Sequence, residues 1–312
     1  MERLLCVTID TEADCDVKWR RSDPLSFESV LYGIPNILRP IWTRYGIKPV
    51  YFVSPAVARN ADCCRVLRGE IGFGAEIGTH LHAEYIAPEK KYEKADGTHS
   101  DDYPCSAYSA EVELAKIRNL TELIEKNIGA KPVSYRAARY GADLDTIKSL
   151  EALDYKVDSS VTPDIDWSYQ GGPDHSKAPK QPYFVSRGGY YTRGDSKILE
   201  IPITISGKRG PFLPNRWLWY RWLRPTHMTV TEMRILAGEF IRKYDAPVLN
   251  MMFHSMEVIP GKTPFVRTAL GQRMYLRRLE KILRYLKEKG FKAATFAEVY
   301  DEKLCALSQR PR

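Results

Sequence analysis

Short apolar runs alternate with helical patterns along the chain. Apolar runs over 4–9, 49–53, 132–135, 156–158, 198–203, 248–253 and 291–296 predict strands, and 3.6-residue periodicity predicts helices over 27–45, 110–128, 143–153 and 270–289. Capping residues support these boundaries: Ser109 precedes the helix over 110–128, while Gly46, Gly129 and Gly290 follow helices. The alternation is typical of an α/β fold.

The pattern contains about seven β/α steps and no segment that reads as a linker. We therefore predict one domain over residues 1–312, folded as a distorted (β/α) barrel. Two stretches, 83–108 and 164–194, are rich in Gly, Pro, Asp and Tyr and are predicted to be long surface loops. Loops of that length in a compact domain are usually functional.

Composition narrows the class of protein. Lys+Arg number 47 and Asp+Glu 39, a formal charge of +8 that is spread along the chain, without the dense basic stripe of a nucleic-acid-binding module. No run reaches the ~18 apolar residues of a membrane span. The six cysteines show no metal-finger spacing, so we predict reduced thiols. The first residues lack a signal-peptide pattern, which predicts a cytoplasmic protein.

Carboxylates follow the first predicted strand. Asp10 and Glu12 are two positions apart in Thr8-Ile9-Asp10-Thr11-Glu12, so an extended backbone points both side chains the same way. The parallel strands of an α/β barrel carry the active site at their carboxyl ends. The alternative is a loop of solvated acids, because Asp14 and Asp16 continue the run.

Two of the chain's six histidines, His80 and His82, follow an apolar run and are separated by the single residue Leu81. In a strand both imidazoles face the same side, which is a common geometry for a divalent metal. A lone histidine is more often structural, whereas this spacing favours a pair of ligands. The remaining histidines in polar contexts, His99, His175 and His227, are predicted to lie at the surface.

Three further clusters stand at predicted strand ends. Arg136 and Arg139 could bind carboxylates of neighbouring strands, and structural ion pairing is the plain alternative. Asp158 closes another strand and by itself would be an ordinary helix cap. His254 ends a nearly continuous apolar strand, where it is either a core histidine or a general acid at the barrel mouth.

Taken in order, these clusters resemble the five motifs of the polysaccharide deacetylases, carbohydrate esterase family four. The motifs are Thr8-Ile9-Asp10-Thr11-Glu12, His80-Leu81-His82, Arg136-Ala137-Ala138-Arg139-Tyr140-Gly141, Asp158-Ser159-Ser160-Val161 and Phe253-His254-Ser255. The resemblance spans about residues 4–300. It implies a distorted (β/α) barrel of seven strands and a metal-dependent deacetylase.

The resemblance implies a role for each matching residue. Asp10 matches the catalytic base, and Arg136 or Arg139 matches the arginine that tethers it. His80 matches the first metal-binding histidine.

The same resemblance supplies the groups that act on the leaving amine and the oxyanion. His254 matches the catalytic acid, and Asp158 matches the carboxylate that orients it and keeps it charged. The backbone N–H of Tyr140 matches the oxyanion donor.

Two motifs depart from the usual pattern of the family. Thr11 replaces the second of two adjacent aspartates, so Glu12 becomes the expected metal carboxylate. Glu84 stands where the family has its second histidine, which leaves His82 as the better second imidazole and Glu84 as the weaker one. Zn²⁺ suits such ligands, and Ni²⁺ or Co²⁺ would bind the same set.

The expected reaction is hydrolysis of an N-acetyl group on a sugar or on an intermediate of glycan biosynthesis. Two alternatives stay open: a cyclic amide or imide hydrolase on the same barrel, and a non-catalytic saccharide-binding relative. A cytoplasmic location favours a nucleotide-linked, lipid-linked or soluble saccharide. The Trp- and Arg-rich segment 216–224 fits a peripheral contact with a membrane, and equally a helix packed on the barrel or a sugar-stacking wall.

Overall fold

The predicted strands assemble into one curled sheet in the computed structural model, which describes residues 2–91, 103–208 and 219–308. The strands of the described residues are β1 (Arg3–Thr11), β2 (Pro49–Val53), β3 (Glu76–Leu81), β4 (Ser134–Ala137), β5 (Val157–Asp158), β6 (Tyr183–Ser186), β7 (Gly189–Arg193), β8 (Leu199–Glu200), β9 (Ile205–Lys208), β10 (Tyr220–Trp222), β11 (Val248–His254) and β12 (Phe291–Ala293). Of these, β9 and β10 form a separate two-stranded antiparallel sheet, and the others form the curled sheet.

Helices flank this sheet. They are α1 (Arg39–Tyr45), α2 (Pro55–Arg59), α3 (Ala61–Ile71), α4 (Pro104–Ala107), α5 (Ala110–Ile128), α6 (Leu144–Ala152), α7 (Val230–Lys243), α8 (Ala269–Glu288) and α9 (Phe296–Ser308). A π-helical segment, Ser29–Leu38, runs directly into α1, and short 3₁₀ turns follow β3, β4 and β11. The predicted helix over 110–128 is confirmed, with Ser109 accepting a hydrogen bond from the backbone at its start and Gly129 in the left-handed region at its end.

Seven strands within the described chain run parallel in the order β11-β1-β2-β3-β4-β5-β8. The two ends of this series approach each other where Thr204 donates its N–H to the carbonyl of Asn250 at 3.1 Å. The predicted α/β barrel is therefore confirmed. One detail was wrong: the antiparallel hairpin β6–β7 occupies part of the stretch 164–194 predicted as loop. Of the other predicted loop, residues 92–102 lie outside the described residues.

The barrel interior is apolar at its amino end. Leu4, Cys6, Val50 and Phe52 point into it, and α9 covers that end with Phe296, whose ring lies 5.8 Å from Phe52. Residues on β1 are buried on both faces, as expected for a parallel sheet with helices outside it. The opposite end, at the carboxyl ends of the strands, is left for polar side chains.

The cysteines and the helices bear on two further expectations. None of the six cysteines, all of which lie among the described residues, forms a disulfide, and Cys6, Cys15, Cys63 and Cys64 are buried. None of the helices within the described ranges is both long and apolar enough to cross a bilayer.

Gly78 on β3 allows the close packing beneath the polar end. A Cβ atom there would lie 2.7 Å from Cδ1 of Phe52 and 2.7 Å from Oγ of Ser134. We predict that Gly78→Ala lowers the free energy of unfolding by roughly 1–3 kcal/mol, the usual cost of overpacking. Denaturant unfolding measures this change.

Gly69→Ala in α3 is the matched control for that substitution. Its nearest neighbour would be Nη2 of Arg39 at 4.0 Å, and alanine is the better helix former by up to ~1 kcal/mol. If the unfolding midpoint of Gly78→Ala were the same as that of the wild type, the packing argument would be contradicted.

Candidate active site

The polar motifs meet at the carboxyl ends of the parallel strands. Asp10 on β1 is in register with His254 on β11, and His80 on β3 is in register with Arg136 on β4. Parallel neighbours in register end at the same edge of a sheet, so the four side chains share one site. Glu12 follows β1 directly and is buried among them.

Arg136 is the central cation of this site. It is fully buried and donates from Nη1 to Oδ1 of Asp10 at 2.6 Å. Its other N–H groups donate to Oγ1 of Thr8 at 3.0 Å and to the carbonyl and hydroxyl of Ser159 at 3.0 and 2.9 Å. Phe52 lies beneath the guanidinium at 4.3 Å. Of the two arginines left open by the sequence, Arg136 is the partner of Asp10.

This contact controls the charge of Asp10. Burial raises the pKa of the Asp10 carboxyl, but the positive charges of Arg136 and of the nearby histidines outweigh burial, so the pKa is lowered from its ordinary value. Asp10 is therefore a carboxylate at neutral pH, ready to accept a proton.

Glu12 faces three imidazoles. Its carboxylate oxygens lie 3.3 Å from Nε2 of His80, 3.3 Å from Nε2 of His82 and 3.8 Å from Nε2 of His254. Arg21 donates to the same carboxylate at 2.9 Å. Burial raises the pKa of Glu12, but His82 and His80 outweigh burial and hold the pKa well below its ordinary value.

His80, on β3, and His82, just after β3, are both anchored through Nδ1. Nδ1 of His80 lies 3.0 Å from the backbone carbonyl of Arg136, which can only accept, so the proton is on Nδ1. Nδ1 of His82 lies 3.1 Å from Oε1 of Glu84. Such outward hydrogen bonds fix the tautomer and orientation of metal-binding histidines. Both Nε2 atoms consequently point towards Glu12.

The donor set fits a divalent metal. Ligand atoms of Glu12, His80 and His82 all lie within 4.8 Å of one another. Nε2 of His82 is buried and has no hydrogen-bond partner among the described residues, although it lies 3.3 Å from Glu12. Two imidazoles and a carboxylate are a set that Zn²⁺ takes. Glu84 is engaged with Nδ1 of His82, so it supports the set rather than joining it.

His254 has different neighbours from those predicted. Its Nδ1 lies 3.2 Å from Oε1 of Glu257 and 2.9 Å from Nη2 of Arg224. Glu257 also accepts from the backbone N–H of His254 at 3.1 Å and forms a buried ion pair with Arg224. The prediction that Asp158 orients His254 was therefore wrong: Glu257, three residues on in a 3₁₀ turn, occupies that place.

Asp158 belongs to a buried network beside the site. Its carboxylate accepts from the hydroxyls of Ser160 at 2.6 Å and Tyr190 at 2.5 Å, and it is in register with Glu200. Burial raises the pKa of both carboxyls. Ser160 in turn accepts from the backbone N–H of Ala137 at 2.9 Å, so Asp158 holds the end of β4.

The turn after β4 carries Arg139 and Tyr140, both in the left-handed region with φ of 56° and 61°. Two consecutive non-glycine residues in that region are strained and are typical of functional sites. Arg139 lines the cavity and lies 5.8 Å from the Tyr103 ring, while the Tyr140 ring stacks on Trp167. Burial raises the pKa of the Tyr140 hydroxyl.

A cavity of about 310 Å³ opens above these groups. Within the described chain, its aromatic walls are Trp19, Tyr85, Tyr103, Tyr140, Trp167, Trp222 and Phe265. Flat rings around a few polar groups suit a ligand with both apolar faces and hydroxyl edges, such as a sugar.

Several site residues were missed from the sequence. They are Arg21, Arg224 and Glu257, which lie in turns where the sequence has no hydrophobic periodicity. The one available signal was the i,i+3 spacing of His254 and Glu257, which matches one helical turn. The surface prediction was wrong for His227, which lines the cavity, and for His175, which is buried. His99 lies outside the described residues.

The acids after Glu12 play structural roles. Asp14 accepts from the backbone N–H groups of Glu28 and Ser29 at 2.6 and 3.2 Å, where the π-helical segment begins. Asp16 pairs with Arg20 at 2.6 Å in the turn that returns Arg21 to Glu12. The interpretation as solvated acids therefore holds for Asp16, which is partly exposed, and was wrong for Asp14, which is buried.

Comparison with solved structures places the fold. A glycoside hydrolase/deacetylase from Parabacteroides distasonis matches with a TM-score of 0.66 at 13% identity, over 96% of this chain and 70% of that chain. A protein assigned as a polysaccharide deacetylase from Mycobacterium smegmatis matches at 0.53 and 16% identity, over 98% and 92% of the two chains. No family model and no curated protein sequence matches the chain.

A third match shows how widely this fold is used. The 4-α-glucanotransferase from Thermococcus litoralis aligns with a TM-score of 0.55 at 14% identity, over 100% of this chain and 41% of that one. At such identities the likeness concerns the fold alone. The chain thus has the fold of the polysaccharide deacetylase superfamily, as the five motifs predicted, and its activity must be argued from its own residues.

The charges around His82 predict how stability of the metal-free protein depends on pH. Burial lowers the pKa of His82, but Glu12 and Glu84 outweigh burial and raise the pKa to about 9. A histidine pKa above its unfolded value near 6.5 contributes stability that is fully present below pH ~6.5 and lost as pH rises towards 9. We predict a melting temperature that falls across this window in the presence of a chelator.

His82→Gln isolates this contribution. The variant lacks the imidazolium, so the difference in melting temperature between wild type and variant should shrink between pH 6.5 and 9. A difference that stays constant or grows across the window would contradict the charge assignment.

Proposed function

We propose that the protein is a metal-dependent N-deacetylase that hydrolyses an acetamido group on a sugar or on an intermediate of glycan assembly, with one catalytic domain over residues 1–312. One observation carries the proposal: His80 and His82 are anchored through Nδ1 and direct Nε2 at Glu12, beside a buried carboxylate, Asp10. A protein that only bound a saccharide would not need a general base beside a set of metal ligands.

The proposed metal ligands are Glu12, His80 and His82. A divalent ion there would supply Lewis acidity, polarising the substrate carbonyl and lowering the pKa of a bound water from ~15.7 towards ~7. Zn²⁺ is the expected ion, with Ni²⁺ and Co²⁺ as alternatives for the same donors. Arg21 also donates to the Glu12 carboxylate, at 2.9 Å.

Asp10 is the proposed general base. Paired with Arg136, it is ionised at neutral pH and accepts one proton from the attacking water as the new C–O bond forms. The backbone N–H of Tyr140 is the proposed donor to the oxyanion, and one such donor is typically worth ~3–4 kcal/mol.

His254 is the proposed acid. When the C–N bond breaks, Nε2 of His254 gives a proton to the departing amine, which would otherwise be a poor leaving group. In the protonated ring Nδ1–H donates to Glu257, which Arg224 holds by an ion pair, so the proton is delivered from Nε2, the nitrogen that faces Glu12. The products are acetate and a free amino sugar.

The substrate is proposed to be an N-acetylated saccharide. The aromatic cavity supports a sugar, and the names of two fold neighbours, a deacetylase and a glycoside hydrolase/deacetylase, agree with that class. A nucleotide- or lipid-linked form and a cytoplasmic location remain sequence predictions. Of the segment 216–224, residues 216–218 lie outside the described residues, so its membrane role also stays a prediction.

Asp10→Asn tests the base. We predict that acetate release from N-acetylated saccharides falls by about 10²- to 10⁴-fold, the usual contribution of a general base, while bound zinc is retained. Acetate release is measured with a coupled assay, and zinc by elemental analysis of the same sample.

Asp16→Asn is the matched control, because Asp16 also pairs with an arginine but lies in an exposed turn. Near-wild-type acetate release by Asp10→Asn would show that Asp10 is not the base. Ring opening of cyclic imides without acetate release would instead favour the imide hydrolase.

Glu257→Gln and Asp158→Asn test the reassigned partner of His254. We predict that Glu257→Gln lowers kcat by about 10- to 100-fold, since the acid loses its orienting carboxylate, whereas Asp158→Asn stays within about threefold of wild type. Steady-state kinetics on folded samples decide between the two. A larger loss of kcat in Asp158→Asn would reverse the assignment.

A further inference from the structure

A buried lysine stands behind the second histidine of the site, outside the catalytic cavity. Lys116 projects from α5 and is fully buried. Its Nζ lies within hydrogen-bond distance of the backbone carbonyls of Ala83 at 2.9 Å, Ile86 at 2.8 Å, Pro88, and Glu89 at 3.3 Å, which share its three N–H donors. Four carbonyl oxygens of one short segment, residues 83–89, therefore surround a single ammonium group. We call this segment the carbonyl turn.

Neighbouring side chains complete the arrangement around the carbonyl turn. Asn119, one turn further along α5, donates from Nδ2 to the carbonyl of Ala87 at 2.8 Å, so α5 binds the segment at every carbonyl from 86 to 89. The ring of Tyr108 covers the ammonium at 4.2 Å. The segment is thus fastened to α5 along most of its length.

Electrostatics explains why a cation is needed there. Carbonyl oxygens carry partial negative charge, so a turn that directs four of them at one point is self-repelling without a positive group at the centre. A buried charge normally has a carboxylate partner. Among the described residues, Lys116 forms no direct ion pair; Glu89 and Glu84 act on its charge from farther away, and backbone carbonyls replace water around the ammonium.

The carbonyl turn begins next to the proposed metal site. Ala83, which accepts from Lys116, separates His82 from Glu84. Glu84 lies 3.1 Å from Nδ1 of His82, and Tyr85 lines the cavity. The backbone position of Ala83 therefore sets whether the Glu84 carboxylate can reach the imidazole.

We propose that Lys116 is a positioning residue for the metal site: its ammonium group holds the carbonyl turn, and thereby holds Glu84 against Nδ1 of His82. The role rests on the proposed function in one respect, that Glu12, His80 and His82 bind a metal. Lys116 touches no reacting atom and acts only through the backbone.

Lys116→Met tests this role, because methionine keeps most of the apolar stem and removes the charge. We expect the zinc affinity, measured by competition with a chromophoric chelator, to fall about 10- to 100-fold, the usual effect of losing an outer support of a metal ligand. Lys126→Met on the same helix is the matched control, since Lys126 is exposed, and its zinc affinity should be that of the wild type.

A second measurement does not depend on metal. Hydrogen exchange of the chelated protein should show faster exchange at amides 84–91 in Lys116→Met than in wild type, with unchanged exchange in β1 and β11. The amide of Tyr85, bonded to the His82 carbonyl at 3.1 Å, and the amide of Lys91, bonded to the Glu84 carbonyl at 3.0 Å, report on the turn directly.

A chemical rescue separates charge from packing. Lys116→Ala should regain zinc affinity with added n-propylammonium chloride and gain nothing from n-propanol, which has a similar chain without the charge. If these variants do not fold, Asn119→Ala removes a single donor and should weaken zinc binding in the same direction by a smaller factor.

The outcomes are distinguishable. Wild-type zinc affinity together with wild-type exchange at 84–91 in folded Lys116→Met would overturn the role of Lys116 and leave the metal site standing. A wild-type protein that binds no zinc would overturn the metal site itself, whereas faster exchange at 84–91 would still establish that Lys116 holds the turn.

Discussion

The buried ion pair between Arg136 and Asp10 is the constraint on which the rest of the site depends. Arg136 joins four strands: it binds Asp10 and Thr8 on β1, covers Phe52 on β2, offers its carbonyl to His80 on β3, and reaches Ser159 after β5. Removing one member of such a pair typically costs ~3–5 kcal/mol because the other charge is left buried. The pair therefore couples folding to the ionised state of Asp10.

The same arginine links the proposed base to the proposed metal ligands. Its backbone carbonyl fixes the tautomer of His80, while Glu84 fixes His82, so both Nε2 atoms face Glu12. The Glu12 carboxylate accepts from Arg21 at 2.9 Å and lies 3.3 Å from Nε2 of His80 and from Nε2 of His82. The arrangement keeps a carboxylate oxygen and two imidazole nitrogens within 4.8 Å of one another in a buried place, where a divalent ion could bind all three.

Local geometry explains which parts of the site were predictable from sequence. Glu12, His80 and His82 were found because strand alternation fixes side-chain direction over two residues. The choice between Arg136 and Arg139 depends on a left-handed turn that no propensity indicates. The wrong partner for His254 arose because Asp158 lies in a buried network two strands away, whereas Glu257 reaches the ring through one 3₁₀ turn. The β6–β7 hairpin was missed because the stretch 164–194 is rich in Gly, Pro and Asp, which are typical of turns.

The most direct test of the account is the amount of zinc that the protein retains after reconstitution and desalting, compared between wild type and Glu12→Gln. We predict about one ion per chain in the wild type and none in the variant, because a neutral amide replaces the carboxylate on which both imidazoles converge. A wild type that retains no zinc, or a variant that retains as much as the wild type, would contradict the central claim.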